Sequence, residues 1–576
     1  MKKLALVTVL FAFVSVATSQ NIRYVTQNGI GDGTSWADAS NDIQAMMDSL
    51  KATGGEVWVA EGIYTPLYKL ADTTLNGAIT TDRDKAFLLV KDVKIYGGFI
   101  GTETELSQRD WETYLTVLSG DIDIEGDSTY NCYHVVVSSG DIGVACLDGF
   151  TITGGNASGN DTIKVNGYDV LQHVGGGMHT AYSSLTIINS SISANAANFG
   201  GGMHNRYSSV ILVNTSISNN LSSRSGAGIY NGYSSVKLTH VTMANNIISG
   251  DGNGGGMANN ASTIEVIHCS FWANSANYGG GIFSLESSVT LTNVEFLHNS
   301  TSMYGGGIYN AYSNAVLTNV IISENTTDHG GGVFNFGSSP ILTNTTIVGN
   351  SAASRGGGMV NTDNSFPEIR NSIIWGNGDD NILNNKNSDP SYLYSLVEHE
   401  NPNGRGNING TNVNNAPVFV DVANRNYNLV LGSRGIEEGS SSFYNSDSIP
   451  NLSLINTDMD GNPRLVGTTV DMGAYEFQNV SIASNEIKSN IIFFPNPAQH
   501  TLYIESSETV EQVSIYDISG RMLNNTVIAT NEANPPLKGG RGDVPTNIDI
   551  SHLTIGIYLV KVKTAQGETA KKIVKQ

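Results

Sequence analysis

The sequence is dominated by one pattern that recurs eight times between Gly175 and Asn377. Each copy has three small residues, usually glycine, followed by an apolar residue, a Ser-rich pair, alternating apolar residues and an asparagine. The third small residues lie 25 to 28 positions apart: Gly177, Gly202, Gly228, Gly256, Gly281, Gly307, Gly332 and Gly358. The asparagines keep the same spacing: Asn195, Asn220, Asn246, Asn274, Asn299, Asn325, Asn350 and Asn377. Two columns with one period predict a solenoid in which each repeat forms one coil.

Apolar residues also recur at fixed positions within the repeats. Stacking the coils at the interstrand spacing of about 4.8 Å places these residues in three columns that enclose a continuous core. The columns contain, in order, Met178, Met203, Ile229, Met257, Ile282, Ile308, Val333 and Met359; Ile187, Leu212, Leu238, Val266, Leu291, Leu317, Leu342 and Ile369; and Ile192, Ile217, Met243, Phe271, Phe296, Ile322 and Ile347. We therefore predict an all-β fold, a parallel β-helix.

The repeated glycines and asparagines are interpreted as parts of this fold. Glycine lets the backbone turn where a side chain would clash or where φ must be positive. Stacked asparagines are expected to bond to one another through their side-chain amides, which satisfies turn groups that each coil leaves unpaired.

Composition and charge exclude some functions. The chain has 576 residues, of which 64 are glycine and 14% are charged, and its formal net charge is −22. Such acidity argues against binding to nucleic acid or to an anionic membrane. The three cysteines, Cys132, Cys146 and Cys269, are interpreted as buried small hydrophobes, with a Cys132–Cys146 disulfide as the alternative.

The amino-terminal part predicts export and a cap. Residues 1–19 have two lysines, an apolar run and small residues before Gln20, as in a signal peptide. No second stretch is long and apolar enough to span a bilayer, so the mature chain is predicted to have no transmembrane segment. Residues 20–85 are assigned to an N-terminal cap and first strands. Within them Ile43, Met46, Met47 and Leu50 have helical spacing, which predicts a short helix that covers the open solenoid end.

Residues 86–478 are assigned to the β-helix, with regular repeats at 175–377 and closing coils at 378–478. Residues 97–99, 109–111 and 147–155 resemble secreted right-handed parallel β-helix proteins of Bacteroidetes. The Gly-Gly-Gly-Ile and Phe-x-x-Asn elements, seen at 279–282 and 271–274, resemble repeats of chlamydial polymorphic membrane proteins. That second resemblance implies a role in surface adhesion.

The carboxy-terminal part follows a polar linker at residues 479–492. Residues 493–576 resemble the type A sorting domain of the type IX secretion system, and the residues that carry the resemblance include Pro495, Asn496, Pro497, Gly520, Gly556, Tyr558, Lys571 and Lys572. The resemblance implies a small β-sandwich that the outer-membrane translocon recognises. The protein is then secreted or anchored at the outer cell surface, and whether the domain is cleaved off stays open.

The same kind of solenoid also occurs in polysaccharide lyases, so catalytic residues were sought. A lyase would need clustered carboxylates for Ca²⁺ and a basic residue nearby, but the repeats show no such cluster. Asp121, Asp123 and Glu125 could supply paired carboxylates, although an ordinary solvated strand explains them too. His240 and His268 replace asparagine in a column that also contains Asn189, Asn214, Asn293, Asn319 and Asn344. No catalytic residue, metal site or cofactor is therefore predicted; Ca²⁺ stays open without a specific motif.

Aromatic residues form the most suggestive surface. Tyr182, Tyr207, Tyr233 and Tyr312 share one column, and Tyr230, Phe283, Tyr309 and Phe334 share another three positions earlier. Rings at coil spacing could bind sugar faces, whereas packing of the ladder itself is the alternative. We hold two hypotheses: a non-enzymatic protein for adhesion to a host or neighbouring surface or for binding extracellular polysaccharide, and a polysaccharide lyase or glycoside hydrolase.

Removal of residues 493–576 is expected to leave the protein in the periplasm, because the translocon would no longer recognise it. Cell fractionation and surface immunoblotting of the truncated and full-length chains measure this. Normal surface display of the truncated chain would contradict the assignment.

Overall fold

Each repeat forms one coil of four short strands separated by four corners, as seen in a computed structural model of the chain. In the coil that begins at Met178 the strands are Met178–Ala181, Ser184–Ile188, Ser191–Ser193 and Ala196–Phe199. Each strand pairs in parallel with its counterpart in the next coil. Equivalent side chains therefore stack along the axis, and the predicted parallel β-helix is confirmed.

The structure describes residues 21–378, 380–400, 402, 404–478, 492–494, 498–506, 510–517, 522–527, 546–554, 556–564 and 567–575. The predicted signal peptide at 1–19 lies outside the described residues. So does the linker at 479–492, apart from residue 492.

The strands of the coils form three long parallel sheets. The first strands build an 11-stranded sheet: Phe87–Leu88, Val136–Ser139, Met178–Ala181, Met203–Arg206, Ile229–Gly232, Met257–Asn260, Ile282–Leu285, Ile308–Ala311, Val333–Phe336, Met359–Thr362 and Ile382–Asn384. The second and third strands build a 22-stranded sheet: Ile22–Val25, Gly55–Ala60, Gly62–Tyr64, Val93–Phe99, Thr116–Ser119, Cys146–Asp148, Phe150–Thr153, Ser184–Ile188, Ser191–Ser193, Ser209–Val213, Ser216–Ser218, Ser235–Thr239, Thr242–Ala244, Thr263–Trp272, Ser288–Leu297, Val316–Ser323, Ile341–Thr343, Thr346–Val348, Glu368–Arg370, Ile373–Trp375, Ser391–Leu393 and Leu396–Val397. The fourth strands build an 8-stranded sheet: Asn156–Ala157, Ala196–Phe199, Leu221–Ser225, Ile247–Ile248, Ser275–Tyr278, Ser300–Tyr304, Thr326–His329 and Ser351–Arg355.

The three predicted apolar columns face the inside of the coils, and no member is more than 2% exposed. A fourth buried column also lines the core: Leu185, Val210, Val236, Ile264, Val289 and Ala315. Because every coil contributes to one continuous cluster, the hydrophobic effect stabilises the stack as a whole rather than single repeats.

Each corner of the repeats contains at least one residue with positive φ. In the coil that begins at Met178 these residues are Tyr182, Asn189, Ala194 and Gly200, with φ of 52°, 48°, 55° and 66°. The last corner needs small residues throughout, because a Cβ on Gly201 would lie 2.3 Å from the Leu221 carbonyl oxygen of the next coil. This contact explains the glycine triplets.

The closing asparagines form the expected ladder. Asn274 Nδ2 donates to Asn299 Oδ1 at 2.9 Å and to the Met243 carbonyl at 2.9 Å, while its Oδ1 accepts from Asn246 Nδ2 at 2.9 Å. The same pattern joins the neighbouring coils, and the ladder's amide groups are buried and hydrogen-bonded. Both turn groups and side chains are thereby satisfied.

The short helix predicted near the amino terminus is present. The helix Ile43–Ser49 begins after Asp42, whose carboxylate accepts the Ala45 N–H, and its buried Met47 belongs to the solenoid core. The sheet already starts at Ile22–Val25, which pairs in parallel with Gly55–Ala60. One antiparallel hairpin, Thr162–Val165 with Tyr168–Leu171, interrupts the early coils. Short 3₁₀ helices occur at Asp82–Asp84, Leu106–Gln108, Ser128–Tyr130, Val413–Asn415, Val422–Asn424 and Ser441–Tyr444.

Only part of residues 378–478 forms coils. The stack continues to Leu396–Val397, after which residues 409–478 run along the outside of the solenoid with a single hairpin, Phe419–Asp421 with Asn426–Leu429. We name residues 409–478 the side segment. It packs on Ile321 and Ile373, two apolar side chains that point outward from third strands, and so it covers the flank of the last coils.

The carboxy-terminal residues 479–576 form a separate compact unit. Its described strands build a three-stranded sheet and a four-stranded antiparallel sheet that share one core. These strands are Ile492–Phe494, Thr501–Glu505, Val510–Asp517, Met522–Val527, Thr546–Asp549, Gly556–Thr564 and Gly567–Lys575. Two sheets around one core make the predicted β-sandwich.

The cysteines are free thiols rather than a disulfide. Cys132 and Cys269 are buried and Cys146 is partly buried. Burial raises the pKa of Cys269 to about 11, so this thiol stays protonated and packs as a small hydrophobe.

Replacement of Asn274 by alanine is expected to destabilise the solenoid by about 2–3 kcal/mol or more, because it leaves buried donors and an acceptor of adjacent coils unpaired. Urea unfolding followed by circular dichroism measures the loss. Asn28→Ala, at an exposed turn, is the matched control. Equal effects of the two substitutions would contradict a stabilising ladder.

Candidate functional site

The predicted tyrosine column lies at the corner between the first and second strands. Tyr182, Tyr207, Tyr233 and Tyr312 are 42%, 42%, 55% and 55% exposed, respectively. Each is followed by a buried serine. The hydroxyls of Ser208, Ser234 and Ser313 each accept a backbone N–H from the preceding coil, whereas the Ser183 hydroxyl bonds to the Ser138 hydroxyl. The serine ladder fixes the corner and leaves the tyrosine ring pointing outward.

Three of the four predicted rings form one stack. The ring centroids of Tyr182 and Tyr207 are 4.9 Å apart, and those of Tyr207 and Tyr233 are 5.0 Å apart. Tyr168, which sequence analysis missed because it lies in the inserted hairpin, extends the stack at 4.6 Å. The inner rings cover each other's faces, so a ligand reaches mainly their edges and hydroxyls. Tyr312 lies apart and meets Phe336 edge-on.

A larger aromatic cluster flanks the glycine corner. Phe283, Tyr309 and Phe334 stack at 5.2 Å and 5.1 Å, and Tyr304 from the neighbouring column lies 4.7 Å from Phe334. Tyr304 also stacks on His329 at 5.5 Å. Several of these rings line a cleft of about 290 Å³, which we name the aromatic cleft. Its lining includes Tyr304, Tyr309, His329, Phe334, Phe336 and Lys386.

The aromatic cleft combines apolar walls with a polar rim. Asn385 and Lys386 are exposed at its edge, and Thr362 is buried in its wall. Burial raises the pKa of Tyr309 to about 12, so this phenol stays neutral and can donate a hydrogen bond. Ring faces beside neutral donors and acceptors suit ligands that are apolar on one side and hydroxylated at the edge.

Two histidines continue the column of Tyr230 toward the amino terminus. His179 and His204 are buried and stack at 5.2 Å, and His204 stacks on Tyr230 at 5.3 Å. Buried His134, from outside this column, packs at a tilt against His179 at 5.4 Å. Burial lowers the pKa of His134 to about 4 and that of His204 to about 3. The rings are therefore neutral at physiological pH. His179 and His204 precede Tyr230 in the repeat register, a signal that could have revealed them.

A groove runs along the corner between the second and third strands, where the column of Asn189, Asn214, His240, His268 and Asn293 lies. We name it the lateral groove. The side segment fills its carboxy-terminal part: Asn319 Nδ2 donates to the Thr457 carbonyl at 2.8 Å, and Asn344 Nδ2 to the Asp471 carbonyl at 2.7 Å. Sequence analysis had placed these asparagines in one column without predicting what covers them.

Buried charges hold the side segment in the groove. Arg464 is 2% exposed; its Nη2 donates to Asn319 Oδ1 at 2.6 Å and its Nη1 lies 3.5 Å from Glu476 Oε2. Burial raises the pKa of Glu476 to about 8, despite the nearby guanidinium. Burial also raises the pKa of Asp458 and that of Asp471. These carboxyls accept backbone N–H groups within the segment and so shape it.

The carboxylates considered for catalysis lie in a loop. Asp121, Asp123 and Glu125 lie before the helix Ser128–Tyr130 rather than on a strand, and Asp121 accepts the Gly126 N–H. Within the described part of the chain, no group of three or more His, Cys, Asp or Glu side chains could hold a metal ion.

Two family models match the chain. Residues 177–342 match the right handed beta helix region, and residues 492–576 match the secretion system C-terminal sorting domain. The chain thus contains a right-handed β-helix region and a C-terminal sorting domain. Searches of the curated proteins and of the solved structures give no match to this sequence.

The sorting domain of this β-helix protein supports a location outside the cell or on its surface, and it implies contact with the secretion machinery. Gly556 begins the last strand but one, and buried Tyr558 donates its hydroxyl to the Thr554 carbonyl at 2.7 Å. Exposed Lys571 lies 5.9 Å from the Phe493 ring, and Lys572 follows it in the same strand. Pro495, Asn496, Pro497 and Gly520 lie outside the described residues.

No helix in the described part of the β-helix protein has the length and apolarity needed to cross a bilayer.

The Tm of the Glu476→Gln variant relative to that of the parent is expected to rise as the pH rises from 5 to 9. The folded-state pKa of Glu476, about 8, lies above the ordinary value of 4.5, so its contribution to stability is lost as the pH rises through 8. Glutamine stays neutral and avoids this loss. Thermal unfolding at pH 5, 7 and 9 measures the difference in Tm between variant and parent. Glu265→Gln, in an exposed ion pair, is the control. A Tm difference that does not change with pH would contradict the buried neutral carboxyl.

Proposed function

We propose that this β-helix protein is a non-enzymatic glycan-binding protein that acts in adhesion at the outer cell surface or in the secreted fraction. The aromatic cleft is the observation that carries the proposal. Its rings offer stacking surfaces for the apolar faces of sugar rings, and its rim offers Asn385 and Lys386 for hydroxyl groups.

The tyrosine stack supports the same function in a secondary way. Its last member, Tyr233, is followed in the column by Ala261 rather than by another ring. One face of the Tyr233 ring is therefore not covered by a further ring of the stack. Tyr182 and Tyr207 present hydroxyls and ring edges along the same line. Such edges suit hydrogen bonds to a neighbouring polysaccharide more than face-on stacking.

The delivery route fits this proposal. A rod of stacked coils presents equivalent side chains at a spacing of about 4.8 Å, which allows many weak contacts with one extended ligand. A sorting domain that directs such a rod to the cell exterior brings it to extracellular glycans and to neighbouring surfaces.

Tyr304→Ala is expected to weaken glycan binding about tenfold, because it removes the ring that joins Phe334 to His329. A glycan array followed by calorimetric titration of the bound glycans measures the change, and Tyr233→Ala tests the stack in the same assay. Tyr130→Ala, at an exposed position outside both surfaces, is the control.

Unchanged binding by both the Tyr304 and Tyr233 variants would contradict the aromatic sites. The array is paired with an assay for reducing and unsaturated ends, with Ca²⁺ present. Release of such ends from any polysaccharide would contradict a non-enzymatic role and favour a lyase or hydrolase.

A further inference from the structure

The lateral groove is covered at both ends and open in the middle. Residues 105–115 form a loop at its amino-terminal end, where the Arg109 guanidinium lies 4.9 Å from the Trp111 ring and 2.6 Å from Asp148. The side segment covers it from Asn319 onward. Between these covers, Asn214, His240 and His268 are exposed, whereas Asn293 is buried.

The open part contains a well-formed cleft of about 280 Å³. Its lining includes Trp111, Leu115, Asn189, Asn214, His240 and Thr242. The corner side chains are ordered by contacts along the column: Asn214 Nδ2 donates to Asn189 Oδ1 at 2.7 Å, and the His240 and His268 rings stack at 5.1 Å. Among the described residues that line the cleft, Glu112 is the one carboxylic acid and none is lysine or arginine, which disfavours an anionic ligand.

The covered coils show what a peptide needs in this groove. There, two outward third-strand positions are apolar: Ile321 packs on Tyr427 and Ala474, and Ile373 on Leu429 and Met472. Thr346 lies between them in the column, and its hydroxyl accepts the Ala474 N–H. The amides of Asn319 and of Asn344 donate to backbone carbonyls.

The open coils offer different chemistry at the same positions. Toward the amino terminus, the column that contains Ile321 and Ile373 passes through the partly buried Glu295 and then through Ser270, Thr242 and Ser216. Instead of apolar contacts, the last three residues offer hydroxyls that both donate and accept hydrogen bonds. The Asn214 amide donates to Asn189 Oδ1 within the column, as the Asn319 amide does to Asn293 Oδ1, and its second N–H can donate to a ligand.

We infer that the open part of the lateral groove is a second binding site, which takes a neutral, linear oligosaccharide lying along the solenoid axis. From Asn189 to Asn293 the column spans four coil steps, about 19 Å at the interstrand spacing. One pyranose unit advances a linear glycan by a distance close to one such step, so successive hydroxyls can meet successive coils. Trp111 supplies a ring at one end of the path. The site uses residues separate from the aromatic cleft and the tyrosine stack.

The test titrates the full-length protein with neutral linear hexaoses: cellohexaose, xylohexaose, mannohexaose and laminarihexaose. At least one is expected to bind, and the double variant Ser216→Ala/Thr242→Val is expected to weaken it about tenfold through the loss of two hydroxyls. Thr326→Val, the same change at an exposed position of a fourth strand, should leave the affinity unchanged. Circular dichroism confirms that each variant folds.

Four outcomes would overturn the inference: no binding of any hexaose, equal binding by the double variant, loss of binding with Thr326→Val, or displacement of the hexaose by a synthetic peptide of residues 437–446. Loss of binding with Tyr304→Ala but not with the groove variant would place the glycan in the aromatic cleft. That result would reject the groove site and leave the proposed function standing.

Discussion

The stacking of equivalent residues in successive coils is the constraint on which this structure depends. Parallel pairing fixes the register, so one apolar position in the repeat becomes a whole buried column and one asparagine becomes a ladder. An error of one residue would move every side chain in the strand to the opposite face. The close backbone contacts at the glycine triplets, the serine hydroxyls and the asparagine ladder all join neighbouring coils at the corners, which is why glycine, asparagine and serine recur so strictly.

Packing and hydrogen bonds fix the inward and corner positions of each repeat, so the outward positions are the ones that can vary. The candidate binding residues of the repeat region lie at these outward positions. Along one outward column the side chains change from histidine through tyrosine and alanine to phenylalanine: His179, His204, Tyr230, Ala258 and Phe283. The backbone is almost the same in all of these coils. Local differences in ring type, burial and neighbouring loops, rather than differences in fold, therefore distinguish a packed histidine stack from an open aromatic cleft.

The two parts of the lateral groove differ in role: the covered part contributes to stability, and the open part is a surface available for recognition. The side segment uses buried Arg464 and three carboxyls with raised pKa values to close the lateral groove over the last coils. Burying ionisable groups is costly unless they are hydrogen-bonded. Here Arg464 donates to Asn319 Oδ1 and to the Ala474 carbonyl, and Asp458 and Asp471 accept backbone N–H groups. Where the segment ends, the same groove presents hydroxyls and imidazoles to solvent. One corner column thus serves both as an internal docking site and as an open surface.

The sequence by itself determined the repeat, its three inward columns, the asparagine ladder, the helical cap and the sorting domain, because each of these is a periodic or local pattern. It also placed Tyr182, Tyr207 and Tyr233 in one column. Only the tertiary structure decided that their ring faces are mutually covered and that Tyr168 joins them. It alone placed residues 409–478 along the flank instead of in coils, since contacts such as that of Arg464 with Asn319 join positions far apart in the chain. Sequence periodicity predicts the parts that repeat. The positions of insertions and of segments that return along the solenoid depend on contacts between distant residues, which the sequence pattern does not show.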